Sequence, residues 1–163
     1  LRLDVLAAIF GDRLFDRLRT EAGVSYAPAV LSNWPRDLPG GGRLLAVGQL
    51  PPTQTDFFFA TAEAIATDLA VAPVSEDELE RALLPHLQQL ARRSTANPFW
   101  MEYTAGGTRD PERIAALERM PAILTTTTAA DLQALAAEYL TPETAWRLVV
   151  LPEASGTSNP VEE

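Results

Sequence analysis

Leu3, Leu6, Ala7, Phe10, Leu14 and Leu18 recur three or four residues apart at the start of the chain, and Gly23 follows them. That spacing lays all six on one stripe of an amphipathic helix over residues 1–22, so any fold this chain adopts must bury that stripe against other elements. Gly23 is the natural stop for such a helix. Gly11 interrupts it, weakening it by about 1 kcal/mol relative to alanine, and so points to close packing at that position. From Val24 to Trp34 the β-branched and aromatic content rises, and Tyr26 alternates with Ser25 and Ala27 as in a strand. Pro28 within it favours an edge or a bulge. The run Asp37-Leu38-Pro39-Gly40-Gly41-Gly42 reads as a turn, and Arg43 to Leu50 as a second strand, which closes a hairpin.

Pro51 and Pro52 end that strand. Thr53 and Asp56 have the spacing of a helix N-cap, and an apolar helix is expected from there to about Val71. Ser75 and Glu78 form a capping box for the next helix, with Leu79, Ala82, Leu83, Leu87 and Leu90 as its apolar stripe and a kink expected at Pro85. Asn97 to Asp110 reads as a loop holding an aromatic knot of Phe99, Trp100 and Tyr103. A short helix is expected over Glu112–Arg119, and one capped by Thr128 and Asp131 runs to about Leu140. Thr141-Pro142 breaks the chain, and Ala145–Leu151 reads as a closing strand. Residues 153–163 are polar and acidic, the composition of a disordered tail. The order helix, hairpin, helices, strand describes an α+β fold: a small, mainly antiparallel sheet with helices packed on one face. Three strands make a thin sheet, and the chain opens directly on a helix, so further strands are expected before Leu1.

With 163 residues and 47% apolar content, the chain can build one core. No apolar run reaches the ~18 residues that span a bilayer. A net charge of −9 argues against nucleic acid, whose phosphates it would repel. The charge is uneven: six Arg face five acids in residues 1–50, whereas seven Arg face 17 acids in the remainder. Positive charge is therefore least opposed in the first third. All 13 basic residues are Arg, which with the abundant alanine points to a GC-rich bacterial genome. The chain has no cysteine, which excludes disulfides, thiolate metal sites and cysteine nucleophiles, and leaves both periplasm and cytoplasm open.

Chemistry-bearing motifs are few. His86 is the only histidine, too few for a histidine-based zinc site, and neither H-E-x-x-H nor H-x-x-E-H is present. No G-x-S-x-G elbow supports a serine nucleophile. Gly40-Gly41-Gly42-Arg43 lacks the Lys-Ser/Thr of a phosphate loop and precedes a strand, so it reads as a hairpin turn. Glu76, Asp77, Glu78 and Glu80 crowd a helix start, where the helix dipole favours them. Phe57-Phe58-Phe59 and Trp100 read as core. Arg19, at a helix end, and Tyr26, in the strand beyond the glycine, remain as a pair.

The segment Gly11-Asp12-Arg13-Leu14-Phe15-Asp16-Arg17-Leu18-Arg19-Thr20-Glu21-Ala22-Gly23-Val24-Ser25-Tyr26 resembles a signature of the pitrilysin/insulinase-type zinc metallopeptidases. In that family a helix ending in Leu-Arg-Glu is followed by Gly-Leu-x-Tyr, with Arg and Tyr seven apart. Arg19 and Tyr26 keep that spacing, and Thr20 departs from the usual Glu. Asn97-Pro98-Phe99-Trp100, and the helix Ala129–Leu140 followed by Trp146–Leu151, are similar to later parts of the family's repeat. The resemblance covers residues 1–152. It implies an N-terminally truncated half-domain of the C-terminal, non-catalytic kind, which binds peptide substrate through Arg19 and Tyr26. Zinc and its H-x-x-E-H motif are expected in a partner half-domain of the same or a companion chain, and this chain alone should be inactive. The other reading is a structural or assembly module of the same fold without a proteolytic role. An open sheet edge would also allow self-association.

Overall fold

A computed structural model describes residues 1–21, 23, 28–34, 42–105 and 111–151. Helix α1 spans Arg2–Phe15 and runs directly into a π-helical turn at Asp16–Glu21. The expected single helix is thus two geometries in series. The apolar stripe survives the change, because Leu14 in α1 and Leu18 in the π turn are both fully buried. Gly23 lies just beyond with φ of +65°, the left-handed region where a side chain would be strained.

Strands β1 (Ala29–Asn33) and β2 (Arg43–Val47) pair antiparallel, with Leu31 opposite Leu45. Strand β2 ends at Val47, short of the expected Leu50, and residues 24–27 of the expected first strand lie outside the described residues. Pro28, which has no N–H to give a ladder, sits just before β1 and not within it. Tyr26 and the turn residues Asp37 to Gly41 lie outside the described residues. Gly42 closes against the Trp34 ring, into which a Cβ would project. Gly11, by contrast, has room: a Cβ there would lie 3.8 Å from that of Val30, an ordinary contact, so the close approach expected at this glycine is not needed.

Five α-helices follow among the described residues: α2 (Thr55–Val71), α3 (Glu76–Arg93), α4 (Asn97–Thr104), α5 (Pro111–Thr125) and α6 (Ala129–Tyr139). Before α2, Pro52–Gln54 form a 3-10 turn, which moves the N-cap from Thr53 to Gln54, with no side-chain cap. The capping boxes at Ser75/Glu78 and Thr128/Asp131 form as expected. Helix α3 continues through Pro85. The expected loop at residues 97–104 is helical. Pro98 supplies a preset first turn, the buried Phe99 anchors it, and Trp100 Nε1 donates to the Ser94 carbonyl at 2.8 Å. Helix α5 overruns its expected end, passing through Pro121 because Leu117, Met120 and Leu124 extend its buried stripe. The closing strand is absent: Ala145–Leu151 pairs with no strand among the described residues.

The architecture is α+β, a two-stranded antiparallel sheet with helices packed against it. One core joins α1 (Val5, Leu6, Ile9, Phe10, Leu14) to Leu18, Phe58, Ile65 and Leu69 of α2, Leu124, and Leu132 and Ala136 of α6. A smaller cluster of Phe99, Leu117 and Met120 holds α4 to α5. Of the three consecutive phenylalanines only Phe58 is buried, since neighbours on a helix point in different directions, and Phe57 is exposed. Trp100 is likewise exposed. No single helix among the described residues is long and apolar enough to cross a membrane.

Candidate functional site

The π turn fixes what surrounds Arg19. Leu18 fills the core beneath it, and Arg17 donates from Nη2 to Asp68 Oδ2 of α2 at 3.0 Å. Arg19 itself is exposed, and its guanidinium carbon lies 5.0 Å from the centroid of the Phe15 ring. The Phe15 ring is 37% exposed, so the pair forms a cation–π stack at the surface. The turn closes with the Gly23 N–H donating to the Arg19 carbonyl at 3.2 Å. Where Tyr26 stands relative to Arg19 lies outside the described residues.

One turn earlier, Arg13 forms a two-pronged pair with Glu78 of α3: Nε donates to Oε1 at 2.8 Å and Nη2 to Oε2 at 3.1 Å. Glu78 also accepts from the Ser75 backbone N–H at 3.1 Å, so one carboxylate both ties α1 to α3 and caps α3. The Arg13 hydrogen bond, opposed by partial burial and aided by Ser75, holds its pKa down at about 2. Asp12 shifts the other way. Burial raises its pKa, with Asp16 and Glu78 adding to the rise and Arg81 opposing it.

The other sequence candidates have structural roles. His86 Nδ1 lies 2.8 Å from the Ala82 carbonyl, which can only accept, so the ring carries its proton there. Among the described residues no group of three or more His, Cys, Asp or Glu side chains could hold a metal. Of the acidic run at the start of α3, Asp77 pairs with Arg81 at 3.1 Å and Glu78 with Arg13. The sequence pattern singles out neither Phe15 nor Asp68, and it marks Glu78 only as a helix-capping residue and part of an acidic helix start. Phe15 and Arg19 are four apart on one helix, a spacing that brings side chains together, and that signal was available. Asp68 and Glu78 are 51 and 65 residues from their partners, and no local pattern announces them.

A second surface feature lies at the end of the described chain. Trp146, Leu148, Val149, Val150 and Leu151 are all exposed, Val150 at 83%. Arg147, itself exposed, pairs with Glu63 of α2 and lies 5.1 Å from the Phe59 ring centroid.

No known family matches this chain, and neither does any curated protein. Solved structures share its fold, among them the following two. The periplasmic protease PqqL from Escherichia coli superposes with a TM-score of 0.68 and 17% identity, over 85% of this chain and 15% of its own. A conserved protein from Enterococcus faecalis V583 gives 0.70 and 18%, over 83% of this chain and 32% of its own. The chain therefore spans well under half the length of either. It has the fold of one section of a longer periplasmic protease, related at the distance where fold alone is shared.

Proposed function

We propose that residues 1–152 form a non-catalytic half-domain of a bacterial zinc metallopeptidase of the pitrilysin/insulinase type. In this reading Arg19 and Tyr26 hold an extended peptide across a cleft whose zinc and catalytic glutamate belong to a companion half-domain. The observation that carries it is the fold similarity to one section of a protease chain, in the same molecule that exposes Arg19 at the end of its first helix. The chemistry is consistent. Attack of a zinc-activated water on a peptide carbonyl builds negative charge on that oxygen, and a guanidinium and a phenol are suited to donate to it. In the longer protein carrying both halves, Arg19→Ala and Tyr26→Phe should each lower kcat/KM by about 100-fold with the melting temperature unchanged. Wild-type kinetics in both variants would reject the pair as a substrate site.

The companion half-domain would also cover the apolar run from Trp146 to Leu151. Five large apolar side chains in one exposed stretch are unusual on a monomer and mark an interaction surface. The isolated chain is therefore expected to self-associate in light scattering, and Leu148→Lys combined with Val150→Lys to make it monomeric. A wild-type chain that stays monomeric at tens of micromolar (roughly the range where weak interfaces form) would count against this surface. The same run supports the second reading, a structural or assembly module without proteolysis. The kinetic test separates the two, since an assembly role predicts no turnover for Arg19→Ala to lower.

A further inference from the structure

We infer that residues 146–151 become a β-strand by pairing antiparallel with the same segment of a second copy of this chain, with Leu148 at the two-fold axis. This deepens the interaction surface proposed above and rests on it. Arg147 pairs with Glu63 and lies 5.1 Å from the Phe59 ring centroid, so its side of the segment faces α2. In an extended chain successive side chains point to opposite sides, which sends Trp146, Leu148 and Val150 away from α2. Their exposure follows that alternation: 65%, 66% and 83%, against 47% for Val149 and 60% for Leu151. Ala145 enters the segment in the extended region, at φ −79° and ψ 141°. Among the described residues, no backbone hydrogen bond joins residues 146–151 to another segment. Arg147, the one charge that could guard such an edge, is engaged by Glu63. The area favours a second copy as the partner. The five apolar side chains expose on the order of 500 Å², and pairing two copies removes about twice that, near the 1,000 Å² of a specific interface. Residues directly opposite each other in an antiparallel pair point to the same face, so the axis must pass at a residue and not between two. At Arg147 it would oppose like charges, and at Val149 it would leave Trp146 opposite no residue of the segment. At Leu148 it sets Leu148 against Leu148 and each Trp146 against Val150, a favourable aromatic–β-branched pair.

The test uses the 163-residue chain, whose lack of cysteine lets single cysteines report proximity. At concentrations where light scattering finds a dimer, Leu148→Cys should cross-link to its own copy on mild oxidation, since directly opposed Cα atoms lie about 4.5–5.5 Å apart. Val150→Cys should not, because the two copies of that position lie about 14 Å apart in this register. Both side chains are exposed, so circular dichroism should be unchanged in either variant. Hydrogen exchange gives the second readout. Alternate backbone amides across residues 146–151 should be protected in the wild type, and that protection should be lost in Leu148→Lys combined with Val150→Lys. A dimer whose amides in this segment are unprotected overturns the strand pairing and leaves the interaction surface standing. A dimer in which Leu148→Cys fails to cross-link, or Val150→Cys does so, overturns the register in the same way. A wild type that stays monomeric at roughly tens of micromolar overturns the surface and the pairing together.

Discussion

Leu18→Ala is expected to lower stability by about 2–5 kcal/mol, equivalent to a melting temperature about 5–20 °C lower. Leu18 is fully buried in a core that also takes in Leu14, Phe10 and Leu69. Truncation removes the side chain's transfer energy and leaves a cavity that a π turn followed by a left-handed glycine is poorly able to collapse. Thermal unfolding followed by circular dichroism checks this, and a loss below about 1 kcal/mol would mean that the turn relaxes into the void. The position joins fold to site, because the residue that seals the core is adjacent to the one that presents a guanidinium to solvent.

Glu78→Ala should cost about 2–3 kcal/mol, more than a surface ion pair would suggest. The substitution removes two charge-assisted hydrogen bonds from Arg13 and half of a capping box at once. Its pH dependence provides a second test. The pKa of Glu78 is held down at about 2 in the folded chain against an ordinary 4.5. A depressed carboxylate stabilises the fold fully above its unfolded pKa and loses that contribution as pH falls through the folded value. The wild type should therefore lose stability between pH 4.5 and about 2, and Glu78→Gln, which cannot titrate, should show a flatter curve over that window. Parallel curves would place the acid sensitivity elsewhere. Asp12 contributes in the opposite sense, because its pKa is raised by burial and protonation relieves the folded state.

Much of this fold was legible along the chain. The apolar stripe from Leu3 to Leu18, both capping boxes, and helices α2, α3 and α6 follow from periodicity and from side chains that act within one turn. The misreadings share a cause. Residues 97–104, within the stretch that reads as a loop around an aromatic knot, are helical because burial of Phe99 against Leu117 and Met120 stabilises a helix there. Helix α5 runs past its expected end at Arg119 and through Pro121, because the buried Leu124 outweighs the lost hydrogen bond. Trp146–Leu151 has the composition of a strand, yet a strand exists only where another lies beside it.

Of the candidate site, the sequence by itself determined that Arg19 ends a helix, that a glycine must follow, and that the chain carries no zinc motif of its own. Those are local facts, set by spacing and by the absence of residue types. Only the tertiary structure decided that the end of that helix is a π turn, that Arg17 is tied to Asp68, and that Glu78 serves Arg13 as well as its own helix cap. Such partners are far apart in sequence, and their encounter depends on how the helices pack, a property of the buried stripes taken together and not of any one of them.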